Sequence, residues 1–241
     1  MAEGTLLELW RWPVKSMAGE AVRSSRFDGR GMGGDRTHAL WHLHKGTMTH
    51  LTAREAPRLL AWKASYPFAR DAALRPERPP PATVVSPGGR SYVWGDPRLR
   101  FALQDDLGRA VELRSDPAGQ QDRGYCVLVT FEATLRAFEA ELGRPLDLRR
   151  FRTNLHLELD APAWAELGWH GRRLELAGGV VLRIDDPCER CVIPTRDPDT
   201  QEKWAELMVR LERDHGQRFG VNATVVGAGR AEVGEHVRLM P

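Results

Sequence analysis

Cysteine is scarce: the 241 residues hold three. That excludes a disulfide framework, and the cytoplasm, where thiols stay reduced, is the expected compartment. Long apolar runs are missing too. None approaches the ~20 residues a membrane span needs. The opening "MAEGTLLELWRW" lacks the basic-then-apolar order of a signal peptide, so no membrane association is expected. Charge of one sign is not in excess. Lys and Arg number 35 against 33 Asp and Glu, a net +2, too little for nucleic-acid binding by the bulk field. Any basic site must be local. Familiar motifs fail as well. Lys15 and Ser16 follow a strand-like stretch, but the glycines of "GxxxxGK[ST]" are absent, which rejects a P-loop. Gly227 and Gly229 lack a third glycine and a following helix, so there is no dinucleotide fingerprint. No HExxH occurs. His42 and His44 of "HLH" offer two ligands on one strand face but read as surface or barrel histidines.

What is present suits a globular protein: 41% hydrophobic and 28% charged residues. The length allows one large domain or two small ones. Short strands open the chain. "LLELWRW" alternates with Leu7 and Leu9 on one face; "AVRSSRFD" and "HALWHLH" flank the glycine-rich turn "GRGMGGD". That turn can bring Arg36 near Lys15. "THLTAREAPRL" carries a capping box, Thr52 with Glu55, ahead of a helix that Pro57 keeps short. Residues 69–90 read as a linker or surface loop, with five prolines in "RPERPPPATVVSPGGR" and a hairpin in "TVVSPGGRSYVW".

Three helices follow. The first has Asp96 as N-cap, Pro97 at its first position and Gly108 at its stop. The second is capped by Thr130, aligns Leu135, Phe138 and Leu142, and ends at Gly143. The third aligns Trp204, Leu207, Met208 and Leu211. Between and after them lie the strands "RRFRTNLHLELD", "RRLELAGGVVLRID" and "NATVVGAGRAEVGEHVRL". Regular strand–helix alternation is missing, so the expected class is α+β and β-rich, with barrel character.

Chemistry concentrates in two stretches. If 149–160 is one strand, Phe151, Thr153, Leu155, Leu157 and Leu159 face the core. Arg150, Arg152, Asn154, His156 and Glu158 then share the other face, which is either solvated or an anion site. In "DDPCERCVIPTRDPDT" Cys188 and Cys191 flank Glu189 and Arg190. Zinc wants four soft ligands, and Cys126, read as a buried strand residue, is a poor third. A redox couple wants a helix start, which Val192, Ile193 and Pro194 do not supply. A single thiolate could instead hold a soft metal whose other ligands come from a cofactor. Arg190 would favour the thiolate.

"WPVKS", "GDR…W", "LTAREAPRL", "RRFRTNL", "PCERCVIPTRDPDT" and "FGVNATVV…VGEHVRL" occur in an order that resembles the two-part members of the MOSC family. The resemblance implies an N-terminal MOSC-type β-barrel domain over 1–95 and a MOSC domain over 96–241. It implies the molybdenum cofactor, and pyridoxal phosphate is not expected. By the same resemblance Cys191 ligates molybdenum, and Lys15, Ser16, Arg36, Arg152, Asn154 and Arg190 contact the cofactor. Thr153 stands where the family usually has proline, which a strand tolerates. The activity implied is reduction of an N-hydroxylated or similarly oxidised small molecule. No cysteine follows Cys191, so no ferredoxin segment follows, and the electrons would come from a separate electron-transfer protein. The alternative is a carrier of the cofactor, or of sulfur as a cysteine persulfide.

Overall fold

The computed structural model describes residues 2–67, 74, 80–121 and 126–241. Its first strands are β1 (Ala2–Arg11), β2 (Glu20–Val22), β3 (Ser24–Asp28), β4 (Gly31–Met32), β5 (His38–His44) and β6 (Thr47–His50). Next come β7 (Lys63–Ser65), β8 (Thr83–Val85), β9 (Ser91–Val93), helix α1 (Pro97–Leu107) and β10 (Glu112–Ser115). Then follow β11 (Cys126–Phe131), α2 (Glu132–Leu142), β12 (Leu155–Leu159), β13 (Arg173–Leu176) and β14 (Val181–Glu189). The chain finishes with α3 (Glu206–His215), β15 (Arg218–Gly227), β16 (Gly229–Glu232) and β17 (His236–Met240).

Seven strands close a barrel in the order β12-β11-β15-β14-β13-β17-β1, sealed by antiparallel pairing of β1 with β12. Closure removes the free edges that would otherwise invite aggregation. The first strand of the chain is therefore a stave of a barrel built mostly from its second half. Within the barrel β11 and β12 run parallel, and parallel neighbours need a crossover; α2 supplies it. The interior is apolar, with Leu6, Leu9, Val129, Leu155, Leu157, Leu182, Val221 and Val237 buried in one cluster. Three small sheets lie outside it: β10-β5-β6, β16-β3-β4 and β7-β8-β9. A second cluster joins Val14, Met17, Leu40, Leu59 and Trp62 to Leu99 and Leu103 of α1. A third joins α2 to α3 through Phe138, Leu207 and Leu211, with Phe151 and Phe219 stacked at 3.8 Å.

The strand-rich α+β class holds. So do α1, whose Asp96 side chain accepts from the Arg98 N–H, and its left-handed stop at Gly108. Gly143 ends α2 the same way, and β8 and β9 form the expected hairpin. Of the proline-rich stretch, residues 68–73 and 75–79 lie outside those described.

Four local expectations fail, each for a physical reason. In β1 a bulge between Leu6 and Glu8 breaks the alternation, so Leu6 and Leu9 face the core and Leu7 does not. Thr52 caps no helix: its carbonyl accepts from the N–H groups of Glu55 and Ala56, closing a turn before a short 3-10 segment at Pro57–Ala61. Thr130 does not cap α2, because its hydroxyl is committed to Thr153 and His156. Finally, 149–160 is not one strand. Leu148–Phe151 is a 3-10 turn, Arg152 is left-handed, and only Leu155–Leu159 pairs in the sheet.

Candidate functional site

β1 delivers the chain to Trp12, whose N–H donates to Asp35 Oδ1 at 2.8 Å and whose indole N–H donates to the Thr153 carbonyl at 2.8 Å. The backbone then zips onto the next turn. Arg36 N–H donates to the Trp12 carbonyl at 2.7 Å, and Lys15 N–H to the His38 carbonyl at 2.8 Å. The glycine-rich turn thus brings Arg36 beside Lys15 and Ser16, as the sequence suggests. On the other side β14 carries bulges between Ile184 and Asp186 and between Pro187 and Glu189. Bulges bend a strand and re-aim its side chains, and these lie where the strand presents Cys188 and leads to Cys191.

The result is a pocket of about 570 Å³. Lys15, Ser16, Arg36, Arg152, Asn154, Arg190 and Cys191 all line it, together with Cys188. Both cysteines are half-buried free thiols, not a disulfide. Cys126 lies on β11, and its side chain falls outside those described.

Backbone strain gathers here. Among the described residues, seven other than glycine have positive φ. Four of these line the pocket: Ser16 at +70°, Arg36 at +48°, Arg152 at +55° and Gln217 at +64°. Left-handed backbone costs a side-chain-bearing residue about 1–2 kcal/mol and persists where surrounding structure over-determines it, typically at functional sites.

The cations are held by fixed partners. Lys15 Nζ donates to the Gln120 carbonyl at 2.6 Å. Arg36 meets the Asp35 carboxylate through Nη1 and donates through Nη2 to the Arg152 carbonyl at 3.0 Å. Arg152 lies over the Trp12 ring at 4.3 Å and donates through Nη1 to the Met17 carbonyl at 2.6 Å. Burial, and then the neighbouring Arg36 charge, pulls Arg152 down to about 9, still charged near neutral pH. Its Nη2 is buried without a partner among the described residues, as is Nε of Arg190. A buried cationic nitrogen with no acceptor is costly. Two of them on one pocket wall are what an anionic, acceptor-rich ligand would satisfy.

Two candidates have different surroundings from those expected. Asn154 is fully buried. Its Oδ1 accepts from Leu128 N–H at 3.1 Å and from Arg36 at 3.3 Å, and its Nδ2 donates to the Trp10 carbonyl at 3.2 Å. The amide is used inward, bracing Arg36 and β1. Arg190 sits on the wrong thiol for the simplest reading: Nη1 meets Cys188 Sγ at 3.0 Å, and Nη2 reaches the Phe151 carbonyl. The expected common polar face of 149–160 divides: Arg152 and Asn154 line the pocket, and Glu158 is exposed. Arg150 turns away to Asp197 at 2.7 Å and His156 is buried against Glu132 at 2.8 Å. Sequence reading missed Gln217, Asn222, Thr52 and Arg54 as pocket residues. Asn222 had a signal, a lone amide in an apolar strand; Arg54 was hidden inside the supposed capping box.

The MOSC domain model matches residues 118–238 and the MOSC N-terminal beta barrel domain model matches residues 3–87. The chain is 22% identical to mitochondrial amidoxime reducing component 2 of Homo sapiens, over 82% of this chain and 68% of that protein. Among solved structures, the YUAD protein from Bacillus subtilis aligns over 99% of this chain and 97% of that one, with 13% identity and a TM-score of 0.48. YiiM from Geobacillus stearothermophilus aligns over 48% of this chain and 54% of that one, with 15% identity and a TM-score of 0.36. Among the described residues no helix is long and apolar enough to cross a membrane. With one family model covering half the chain and its companion most of the rest, the protein belongs to the MOSC family.

Proposed function

We propose that this pocket binds the molybdenum cofactor and that the protein uses it to reduce N-hydroxylated or similarly oxygenated small molecules, with electrons from a separate electron-transfer protein. The observation that carries the reading is the union of a soft donor and an anion cradle on one wall. Cys191 lies in the same 570 Å³ pocket as Lys15, Arg36, Arg152 and Arg190, two of which carry buried guanidinium nitrogens without a hydrogen-bond partner among the described residues. Thiolate suits a soft metal, and the cations suit a phosphate. In this reading Cys191 ligates the metal and Lys15, Ser16, Arg152 and Arg190 hold the pterin phosphate end. Arg36 and Asn154 position Arg152. The bound cofactor supplies the two-electron redox chemistry; the chain orients it and shapes the opening. The 22% identity to a protein named as an amidoxime reducing component supports the substrate class.

A second reading, sulfur transfer through a persulfide on Cys188, is favoured by the 3.0 Å contact of that thiol with Arg190. The test is turnover of cofactor-loaded protein. A small reduced dye such as a viologen should drive reduction of an amidoxime or hydroxylamine, and NADH alone should not. Full molybdenum loading without dye-driven turnover across N-hydroxylated and sulfoxide substrates defeats the reductase reading. Sulfane sulfur on Cys188 in protein lacking molybdenum supports the second.

A further inference from the structure

We propose a second metal site, for a divalent transition ion of the zinc class, formed by His42, His44 and Glu55 and separate from the cysteine-bearing pocket. β5 places His42 and His44 two residues apart, so both project from one face of the strand; their rings lie 5.8 Å apart. Glu55 comes from the turn closed by the Thr52 carbonyl, which accepts from Glu55 and Ala56 N–H groups at 3.0 and 2.9 Å. One ligand atom from each of the three lies within 4.8 Å of the other two.

The independent pointer to a ligand is His42. The residue is 7% exposed, and its Nε2 is buried with no hydrogen-bond partner among the described residues. Glu55 Oε2 is 3.2 Å away, an ion-pair distance when His42 is protonated, but the two atoms make no hydrogen bond. An imidazole lone pair in that position is satisfied by a metal ion. Two imidazoles and a carboxylate form a set that zinc accepts, with a fourth position left for water. Tetrahedral zinc bonds of roughly 2.0–2.2 Å set donors about 3.3–3.6 Å apart; His42 and Glu55 already stand near that spacing, and His44 has to close on them. His44 and Glu55 are exposed and can move that far, while His42 is fixed by the sheet.

The site bears on the rest of the molecule through Arg54. This neighbour of Glu55 lines the cofactor pocket together with Thr52. A bound ion would tie β5 to the turn that forms part of that wall.

The test is titration of tag-free, full-length protein with Co²⁺, followed by displacement with Zn²⁺. The expected result is equimolar binding with d–d absorption bands of nitrogen and oxygen ligation. Thiolate-to-cobalt charge-transfer bands should be absent from that equivalent. His44→Ala, an exposed position that leaves the fold intact, should weaken binding at least about tenfold, since even outer-shell changes cost roughly 10–100-fold. Glu55→Gln should do the same. His236→Ala, at an exposed histidine paired with Glu3, should not. Equal affinity in His44→Ala and wild type, thiolate bands in the first equivalent, or no binding at all would each overturn the site, and the last would leave His42 and Glu55 as an ion pair only. None of these outcomes touches the cofactor reading.

Discussion

The Arg36 guanidinium donates to the backbone carbonyl of Arg152 at 3.0 Å, and both residues have left-handed backbones, with φ +48° and +55°. One cation therefore fixes the main chain that aims the other. Arg152 should contribute to holding an anionic cofactor by about 1.5–3 kcal/mol, the range for charged hydrogen bonds, and Arg36 acts through it. Because they share this link, their losses should not add. We predict that Arg36→Ala and Arg152→Ala each lower pterin retention on dialysis, and that the double variant loses clearly less than the sum. Strict additivity would show that the two act separately.

Asn154 gives a different prediction, because its amide is spent on the protein. It bridges Leu128 N–H, the Trp10 carbonyl and Arg36. Asn154→Ala leaves buried groups unpaired at about 1–3 kcal/mol each. The urea midpoint of cofactor-free protein should fall, and pterin retention should fall with it. Loss of cofactor with an unchanged midpoint would instead make Asn154 a direct contact.

Much of this was open to inspection in the sequence. The helix stops at Gly108 and Gly143, the N-cap at Asp96 and the hairpin at Pro87–Gly89 rest on local chemistry, and local chemistry decided them. The seven candidate residues come from ordered motifs, and all seven line one pocket. What stayed hidden was set by long-range contacts. Whether Thr130 caps α2 or bonds His156 depends on β12 lying alongside β11. That Arg152 leaves the strand pattern depends on its packing against Trp12, far away in sequence. Barrel closure by β1 is a topological fact that no window of sequence contains.

His38 supplies the pH dependence. Burial lowers it to about 4, partly offset by the Pro80 carbonyl. The folded protein therefore keeps it neutral where the unfolded chain, near 6.5, binds a proton. Stability from this group is complete above about 6.5 and is lost as pH falls towards about 4. We predict that His38→Gln unfolds less steeply with acid across that window than wild type. Parallel acid-denaturation curves would assign the dependence elsewhere.

Gly4 sits on the seam that closes the barrel, opposite Leu159. A Cβ there would stand 1.8 Å from the Glu158 carbonyl oxygen, and backbone cannot yield cheaply. Gly4→Ala should destabilise by at least about 1–3 kcal/mol, as overpacking does. Gly29→Ala, where a Cβ meets nothing within 4 Å among the described residues, should be near neutral in the same thermal melt.

The central question is whether this pocket holds molybdenum through Cys191. The direct measurement is metal and pterin content of wild type, Cys191→Ser and Cys188→Ser, all purified from a host that makes the cofactor. The prediction is equimolar molybdenum and pterin in wild type. Cys188→Ser should stay close to wild type, while Cys191→Ser should lose molybdenum and keep part of its pterin through the cationic wall. Wild-type protein with neither molybdenum nor pterin, or equal molybdenum in all three proteins, would contradict it.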